Sequence, residues 1–284
     1  MKIGIGLPNQ VRGVHGQELT EWAVRAEQAG FSSLGTVGRI SYPGIMDTVA
    51  LTAAASVTRR IGLLSNVLIA PAWPPALLAK ELAGIDAISG HRLTVGVGVS
   101  RRPDDFTSPE LTFAGRGRRF DRDLDVYQDV WNGKPLGEHG NSWVTGAGRA
   151  IPLLMGGMAP AALDRMARWG EGYISASVPP HIAAATYDAA RSAWSQADRT
   201  GAPKIVAISY FNFADEERGR ANVHHYYLGS PPDLAALISG SFPARAEALR
   251  QRVADFRDLG VDELIFNPTL PDIHELDRLA EIVL

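Results

Sequence analysis

The chain of 284 residues contains no cysteine. That excludes a disulfide framework, a thiolate metal site and a cysteine nucleophile. Its seven histidines, His15, His91, His139, His181, His224, His225 and His274, form no H-x-H or H-x-x-x-H pair. His224 and His225 are adjacent, which on a helix points them apart, so no metal is expected. There is no G-x-S-x-G elbow and no G-K-[ST] phosphate loop, which argues against a serine hydrolase and an NTPase. The formal net charge is −3, so bulk charge recruits neither nucleic acid nor anionic membrane. No run is long and apolar enough to cross a bilayer. The start, MKIGIGLPNQ, has one lysine and breaks at Pro8, unlike a signal peptide. The expectation is a soluble, cytoplasmic protein.

What is present is a large apolar fraction, 45% of residues, enough for a core without staples. No domain boundary is visible, so residues 1–284 are read as one domain. Eight strand-like runs occur, at Ile3–Gly6, Ser33–Val37, Ile61–Ile69, Arg92–Gly98, Ile151–Met155, Gly172–Ser175, Lys204–Phe213 and Glu263–Asn267. Between them lie stripes at helical spacing, such as Leu78, Leu82, Ile85 and Ile88, or Phe120, Leu124, Tyr127 and Trp131. Asp272 followed by Glu275 has the pattern of a capping box. Gly30, Gly90, Gly170 and Gly260 each follow a helical stripe and precede a strand, as left-handed helix terminators do. Repetition of this unit predicts an α/β fold, a (β/α)8 TIM barrel. Two stretches, Ser100–Gly117 after the fourth strand and Ala214–Gly240 after the seventh, exceed ordinary βα loops and are candidate lids or surface insertions. A hairpin-like excursion is expected over Gly140–Gly148.

Three local patterns bear on chemistry. The run IPLLMGGMAP, Ile151–Pro160, is a strand, a glycine pair and a helix whose first turn accepts proline. Gly156, Gly157, Met158 and Pro160 could form an anion cup at a helix N-terminus, or a plain strand–turn–helix connection. Val97, Gly98, Val99 and Ser100 end the fourth strand with small residues, which either admit a flat ligand or serve packing. Ser65-Asn66 is a polar pair inside an apolar strand; the two satisfy each other locally or face a ligand.

Taken in order, DTVALTAAASVT (47–58), RIGLLSNVLI (60–69), PALLAKELAGIDAISGHRLTVGVG (75–98), RGRRF (116–120), IPLLMGGMAPAALDRMARWGEG (151–172) and GVDELIF (260–266) resemble the luciferase-like flavin- and deazaflavin-dependent oxidoreductases. The resemblance implies a barrel holding coenzyme F-420 or FMN at the C-terminal ends of its strands. It implies a non-prolyl cis peptide at Ser65-Asn66 behind the ring, the cofactor phosphate at Gly156–Met158 and the helix near Pro160, and Val97–Ser100 along the ring edge. Such enzymes move a hydride to or from the ring, or use the reduced ring to activate oxygen; the protein positions the ring and excludes water. Family habit implies a homodimer and a small-molecule substrate.

The sequence departs from the family where many members carry an acidic residue or Glu-His after the second strand. Here the place reads Gly38-Arg39-Ile40. Arg39 cannot act as a near-neutral acid or base, but it can hydrogen-bond a substrate oxygen, a carboxylate or a ring carbonyl. It is therefore taken as the catalytic candidate. Asn9 and Tyr42 share its face and are candidate substrate contacts or loop packing; Asn267, ending the eighth strand, contacts substrate or caps the turn; Trp73, just past the third strand, is a substrate-side candidate that could wall the ring pocket. Arg116, Arg118 and Arg119 read as a solvated helix start, from which an arginine could reach an anionic cofactor tail, and Trp22, Trp131 and Trp194 as helix packing. The expected function is a redox reaction on a small organic molecule. The alternatives are an FMN-dependent monooxygenase served by a separate flavin reductase, and a non-catalytic flavin-binding barrel. A phosphate-substrate isomerase would need acid–base pairs at strand ends, where Gly, Ser and Asn stand instead.

Overall fold

A computed structural model describes residues 1–135, 141–144 and 148–284; residues 140 and 145–147 of the excursion expected over 140–148 lie outside them. Eight strands run parallel and close in chain order. They are β1 (Lys2–Gly6), β2 (Ser33–Thr36), β3 (Gly62–Ile69), β4 (Leu93–Gly98), β5 (Leu153–Gly156), β6 (Gly172–Ile174), β7 (Lys204–Phe211) and β8 (Glu263–Pro268). Closure comes from β1 pairing β8, with Lys2 opposite Glu263 and Ile5 opposite Phe266. The protein is thus a (β/α)8 barrel. Among the described residues, no helix is long and apolar enough to cross a membrane.

Parallel strands covered on both faces need apolar residues pointing both ways, and the runs in β3, β7 and β8 supply them. One set faces outward against the helices, where Leu34, Leu63, Val95, Leu153 and Phe266 join the main core. The other set fills the barrel as a separate plug of Leu64, Leu154, Ile174, Val206, Ile208 and Ile265. The plug leaves room only above it, at the C-terminal ends of the strands.

The helices α1 (Gly16–Ala29), α2 (Asp47–Val57), α3 (Pro75–Ser89), α5 (Arg116–Trp131), α6 (Pro160–Trp169), α7 (Pro180–Gln196), α10 (Ala246–Asp258) and α11 (Ile273–Val283) wrap the sheet. The two long stretches carry helices of their own: α4 (Asp104–Thr107) after β4, and α8 (Glu216–Tyr226) and α9 (Pro232–Ser241) after β7. Local chemistry accounts for α8: the Asp215 carboxylate accepts from Arg218 N, Glu216 and Glu217 occupy the first turn, and His224 and His225 the last. Val223, Ile238 and Phe242 from this insertion pack with Tyr210 of β7 in a small core.

Two local expectations are corrected. Gly30, Gly90 and Gly260 take left-handed backbone, but Gly170 is extended. Its requirement is space: a methyl there would lie 3.1 Å from Met166 O and 3.3 Å from Leu153 O. Asp272 caps α11 through His274 N, but Glu275 does not complete the box. Its buried carboxylate instead accepts from the amides of Phe213 and Ala214, each at 2.8 Å, and ties α11 to the chain leaving β7.

A sharp packing demand falls at Gly96 of β4, where a methyl would lie 2.2 Å from the Ser65 carbonyl. Gly96→Ala is expected to lower the unfolding free energy by more than about 2 kcal/mol, because backbone rather than a movable side chain is in the way. Gly84→Ala, on the exposed side of α3 with nothing within 4 Å, should raise it by ~0.5–1 kcal/mol. Urea titration of both variants checks the pair.

Candidate functional site

Above the plug lies a cavity of about 280 Å³, on the barrel face where βα loops build sites. Its floor is polar. Asn66 Nδ2 donates to Asn267 Oδ1 at 3.2 Å, while Asn66 Oδ1 and Asn267 Nδ2 are buried without a partner among the described residues. The expected cis peptide is present one bond later than anticipated, at Asn66-Val67. Ser65 still pairs in register with Val95, and pairing resumes only at Leu68 opposite Val97, so the irregularity spans Asn66 and Val67. Ser65 turns away from the cavity, fully buried, and donates to Gly96 O at 2.8 Å.

One wall is a glycine shelf. A methyl on Gly98 would lie 3.0 Å from Val67 Cγ2, and one on Gly156 would lie 2.9 Å from Val67 Cγ1. Both glycines line the cavity, with Val99, Ser100, Gly157 and Met158. Gly157 has φ +135°, and its carbonyl accepts from Tyr173 Oη at 3.0 Å. The α6 N-terminus follows. Its lining residues are Ala159 and Ala162; Pro160 itself stands outside the lining, as does Val97 behind the shelf.

Two arginines that a stripe reading leaves in solvent border this end. Arg116 Nε donates to Val99 O and Ser100 O at 3.0 and 3.1 Å, which corrects its assignment to a solvated helix start. Arg165 donates to Asp121 Oδ1 at 2.6 Å and to Gly117 O at 3.1 Å. Nothing in the spacing of either residue signals the cavity, because α5 and α6 reach it only through the closed barrel.

Arg39 is not part of the lining. Its side chain is buried, with Nε on Asp105 Oδ1 at 3.0 Å, Nη1 on Tyr226 O at 2.9 Å and Nη2 on Asp104. The expected hydrogen bond to substrate is replaced by contacts that consume the guanidinium within the protein. Asp105 is wholly buried and also accepts from Ile40 N, Ser100 Oγ and Arg102 Nε. The other substrate candidates divide. Asn267 lines the floor. Asn9 is buried and spends its amide on Val37 and Ile45. Tyr42 bonds His225 Nδ1 at 3.0 Å, and Trp73 packs beside Ile69, Ala72 and Phe106. These three hold loops rather than line the cavity.

The opposite wall, which the sequence does not reveal, comes from the long stretch after β7. Tyr210, Tyr226 and Tyr227 line it with Leu234 and Ile238, and Arg102 lies over the rings of Tyr226 and Tyr227 at 5.2 and 5.9 Å. Tyr226 Oη donates to Gly38 O at 3.2 Å, closing the insertion onto the β2 loop. Beneath Gly38, a methyl would come 2.8 Å from Asp47 Oδ2. Burial pushes the Asp47 carboxyl up to about 7.

Residues 1–263 match the family model of the luciferase-like monooxygenases. The uncharacterized protein Rv0940c of Mycobacterium tuberculosis (strain ATCC 25618 / H37Rv) is 33% identical over 175 residues, covering 51% of this chain and 61% of that protein. The 4-hydroxyprotoasukamycin monooxygenase of Streptomyces nodosus subsp. asukaensis is 26% identical over 191 residues, 61% of this chain and 50% of that enzyme. The chain therefore spans between half and two thirds of these relatives. Among solved structures, monooxygenase RslO1 from Streptomyces bottropensis superposes with TM-score 0.79 at 24% identity, covering 99% of this chain and 97% of that one. An F420-dependent secondary alcohol dehydrogenase in complex with an F420-acetone adduct gives TM-score 0.80 at 15% identity, with 99% and 98% covered. The two superpositions show a shared fold.

Two measurements test this account of the site. Arg39→Met leaves the Asp105 carboxylate buried without its main cation and should cost about 3–5 kcal/mol of unfolding free energy in urea. For Asp47 the folded-state affinity for the proton exceeds the unfolded one, so its contribution falls as pH rises from the ordinary carboxyl range through about 7. Asp47→Asn keeps the acceptor for Thr48 N and removes that loss. Its stability relative to the parent should grow across this window, by on the order of 3 kcal/mol at pH 8.

Proposed function

This chain belongs to the luciferase-like monooxygenase family, and from that premise we propose that it is an oxidoreductase acting on a small organic substrate with coenzyme F-420 or FMN held in the cavity. The observation that carries the proposal is the two-ended character of that cavity. At one end, Gly157, the α6 N-terminus, Arg116 and Arg165 offer amides and cations suited to a phosphate. At the other, Val67, Ile69, Ile174 and Ile208 make an apolar slot against glycines that leave space for a flat ring. The unpartnered Asn66 Oδ1 and Asn267 Nδ2 mark a floor still short of hydrogen-bonding partners.

On this reading each group has a definite task. Gly98 and Gly156 admit the ring edge because they carry no side chain. Val67 supports its face. Arg165, held by Asp121, aims its charge at the tail. Tyr226, Leu234 and Ile238 cover the opposite side and exclude water, which strengthens every electrostatic interaction inside. When bound, the reduced ring would supply a hydride to the substrate or the electrons for oxygen activation, and the oxidised ring would accept a hydride from it. Arg39 stands behind the site and fixes its loops. We propose further that the protein works in the cytoplasm as a homodimer. The monooxygenase named above favours oxygen activation as a second reading, which would need a separate flavin reductase as partner.

A titration of the purified chain with coenzyme F-420 and with FMN, each oxidised and reduced, tests the proposal by ring fluorescence. Binding of the deazaflavin alone supports hydride transfer; preference for reduced FMN supports oxygen activation; binding of neither overturns the proposal in favour of a non-catalytic barrel. Gly156→Val, which fills the shelf, should weaken whichever cofactor binds by about 100-fold or more with the circular dichroism of the fold retained. Unchanged affinity would remove the shelf from the site.

A further inference from the structure

Two unpartnered polar atoms on the cavity floor belong together. Asn66, in β3, and Asn267, in β8, are 5% and 2% exposed. Each has one amide arm engaged, because Asn66 Nδ2 donates to Asn267 Oδ1 at 3.2 Å. The engaged arms lie over two glycines, Gly35 of β2 and Gly6 of β1, which are paired in register. A methyl on Gly35 would come 2.4 Å from Asn66 Nδ2, and one on Gly6 would come 2.2 Å from Asn267 Oδ1. The glycines thus seat the two amides. The remaining arms, Asn66 Oδ1 and Asn267 Nδ2, are buried without a partner among the described residues. They set an acceptor beside a donor at a cavity that both side chains line. Turning both amides over would reverse the bond between them and still leave one donor beside one acceptor.

Unpaired, each atom carries the desolvation penalty of a buried polar group. A ligand relieves both only by presenting a donor and an acceptor side by side. A carboxylate has acceptors alone and meets Asn66 Oδ1 with repulsion, while hydrocarbon relieves neither atom. An open-chain amide is trans, so its N–H and C=O point in opposite directions. In a six-membered cyclic amide or imide the two point the same way. We propose that Asn66 and Asn267 read the N–H and adjacent carbonyl of a cyclic imide, the pyrimidinedione edge that the rings of FMN and coenzyme F-420 share. Asn66 Oδ1 accepts from the ring N–H, and Asn267 Nδ2 donates to the carbonyl. The proposal rests on the cavity being the cofactor site described above, and it adds which edge of the ring meets the floor.

The test uses the full chain with FMN, 3-methyl-FMN and the 5-deaza counterpart of each, titrated by ring fluorescence. Methylation at the imide nitrogen removes the one proton that Asn66 would accept and leaves the polyol and phosphate unchanged. For whichever ring binds, the parent protein should prefer the unmethylated form by about tenfold or more. Asn66→Leu should abolish that preference, weakening the unmethylated ring about tenfold and leaving the methylated one within about twofold. A purely structural role for Asn66 would weaken both forms together. A preference that came from the bulk of the methyl group would persist in Asn66→Leu; either result overturns the proposal. The comparison in the parent needs no variant, so it decides the matter even where Asn66→Leu fails to fold, which a urea midpoint reveals. Equal affinity of the two forms in the parent would overturn the role of the floor and leave the cofactor reading standing. Binding of none of the four would overturn it as well, and the separate titration with coenzyme F-420 then decides whether the cofactor reading survives.

Discussion

The face of the barrel that carries the site is organised by one buried carboxylate. Asp105 is completely enclosed and receives donors from the β2 loop, through Arg39, Ile40 and Ser41, and from the β4 loop, through Ser100 and Arg102. Arg39 carries the link onward to Tyr226 O in the insertion after β7. Three loops that are distant in sequence are thereby fixed around one charge. A buried carboxylate is tolerated only when such donors surround it, because desolvation alone would disfavour it strongly. Loss of any one donor therefore disturbs all three loops, and with them the walls of the cavity.

The second constraint is the division of the barrel into a filled and an open part. The plug of Leu64, Leu154, Ile174, Val206, Ile208 and Ile265 occupies the interior below. Above it stand Gly98 and Gly156, at the ends of β4 and β5, with Asn66 within β3 and Asn267 in β8, which are either too small or too polar to complete the packing. The cavity is what remains where apolar filling stops. Its position follows from residue size and polarity in β3, β4, β5 and β8, before any ligand is considered.

Legibility of these features in the sequence followed the range of the interaction. The strands emerged to within a residue or two, because double-sided burial leaves continuous apolar runs such as VGVG and ELIF. The glycine shelf and the Asn66 floor were visible for the same reason: they interrupt runs that should be apolar. The partnership of Arg39 was not legible, since Asp105 lies 66 positions away and nothing local distinguishes a buried arginine from one awaiting substrate. Arg116 and Arg165 sit among other arginines on amphipathic helices, a pattern that ordinarily marks a solvated face. Glu275 had a fitting local partner in a capping box, yet two amides beyond β7 took its carboxylate. Long-range polar pairing of this kind overrides local grammar and leaves no periodic trace.

The insertion after β7 joins these threads. It is secured by hydrogen bonds from Arg39 to Tyr226 O and from Tyr226 to Gly38 O, by Tyr42 to His225, and by its own core of Val223, Ile238 and Phe242 on Tyr210. These contacts use backbone groups and buried rings on the side facing the barrel. The insertion presents Tyr226, Tyr227, Leu234 and Ile238 to the cavity, and Tyr226 and Ile238 take part in its anchoring as well. Anchor and cavity wall thus share residues of one segment, so a change at Tyr226 or Ile238 loosens the segment as it reshapes the wall. On a barrel whose glycine shelf is fixed by strand geometry, one wall of the cavity thus comes from this segment, and Arg39, which follows β2, is spent on holding it in place.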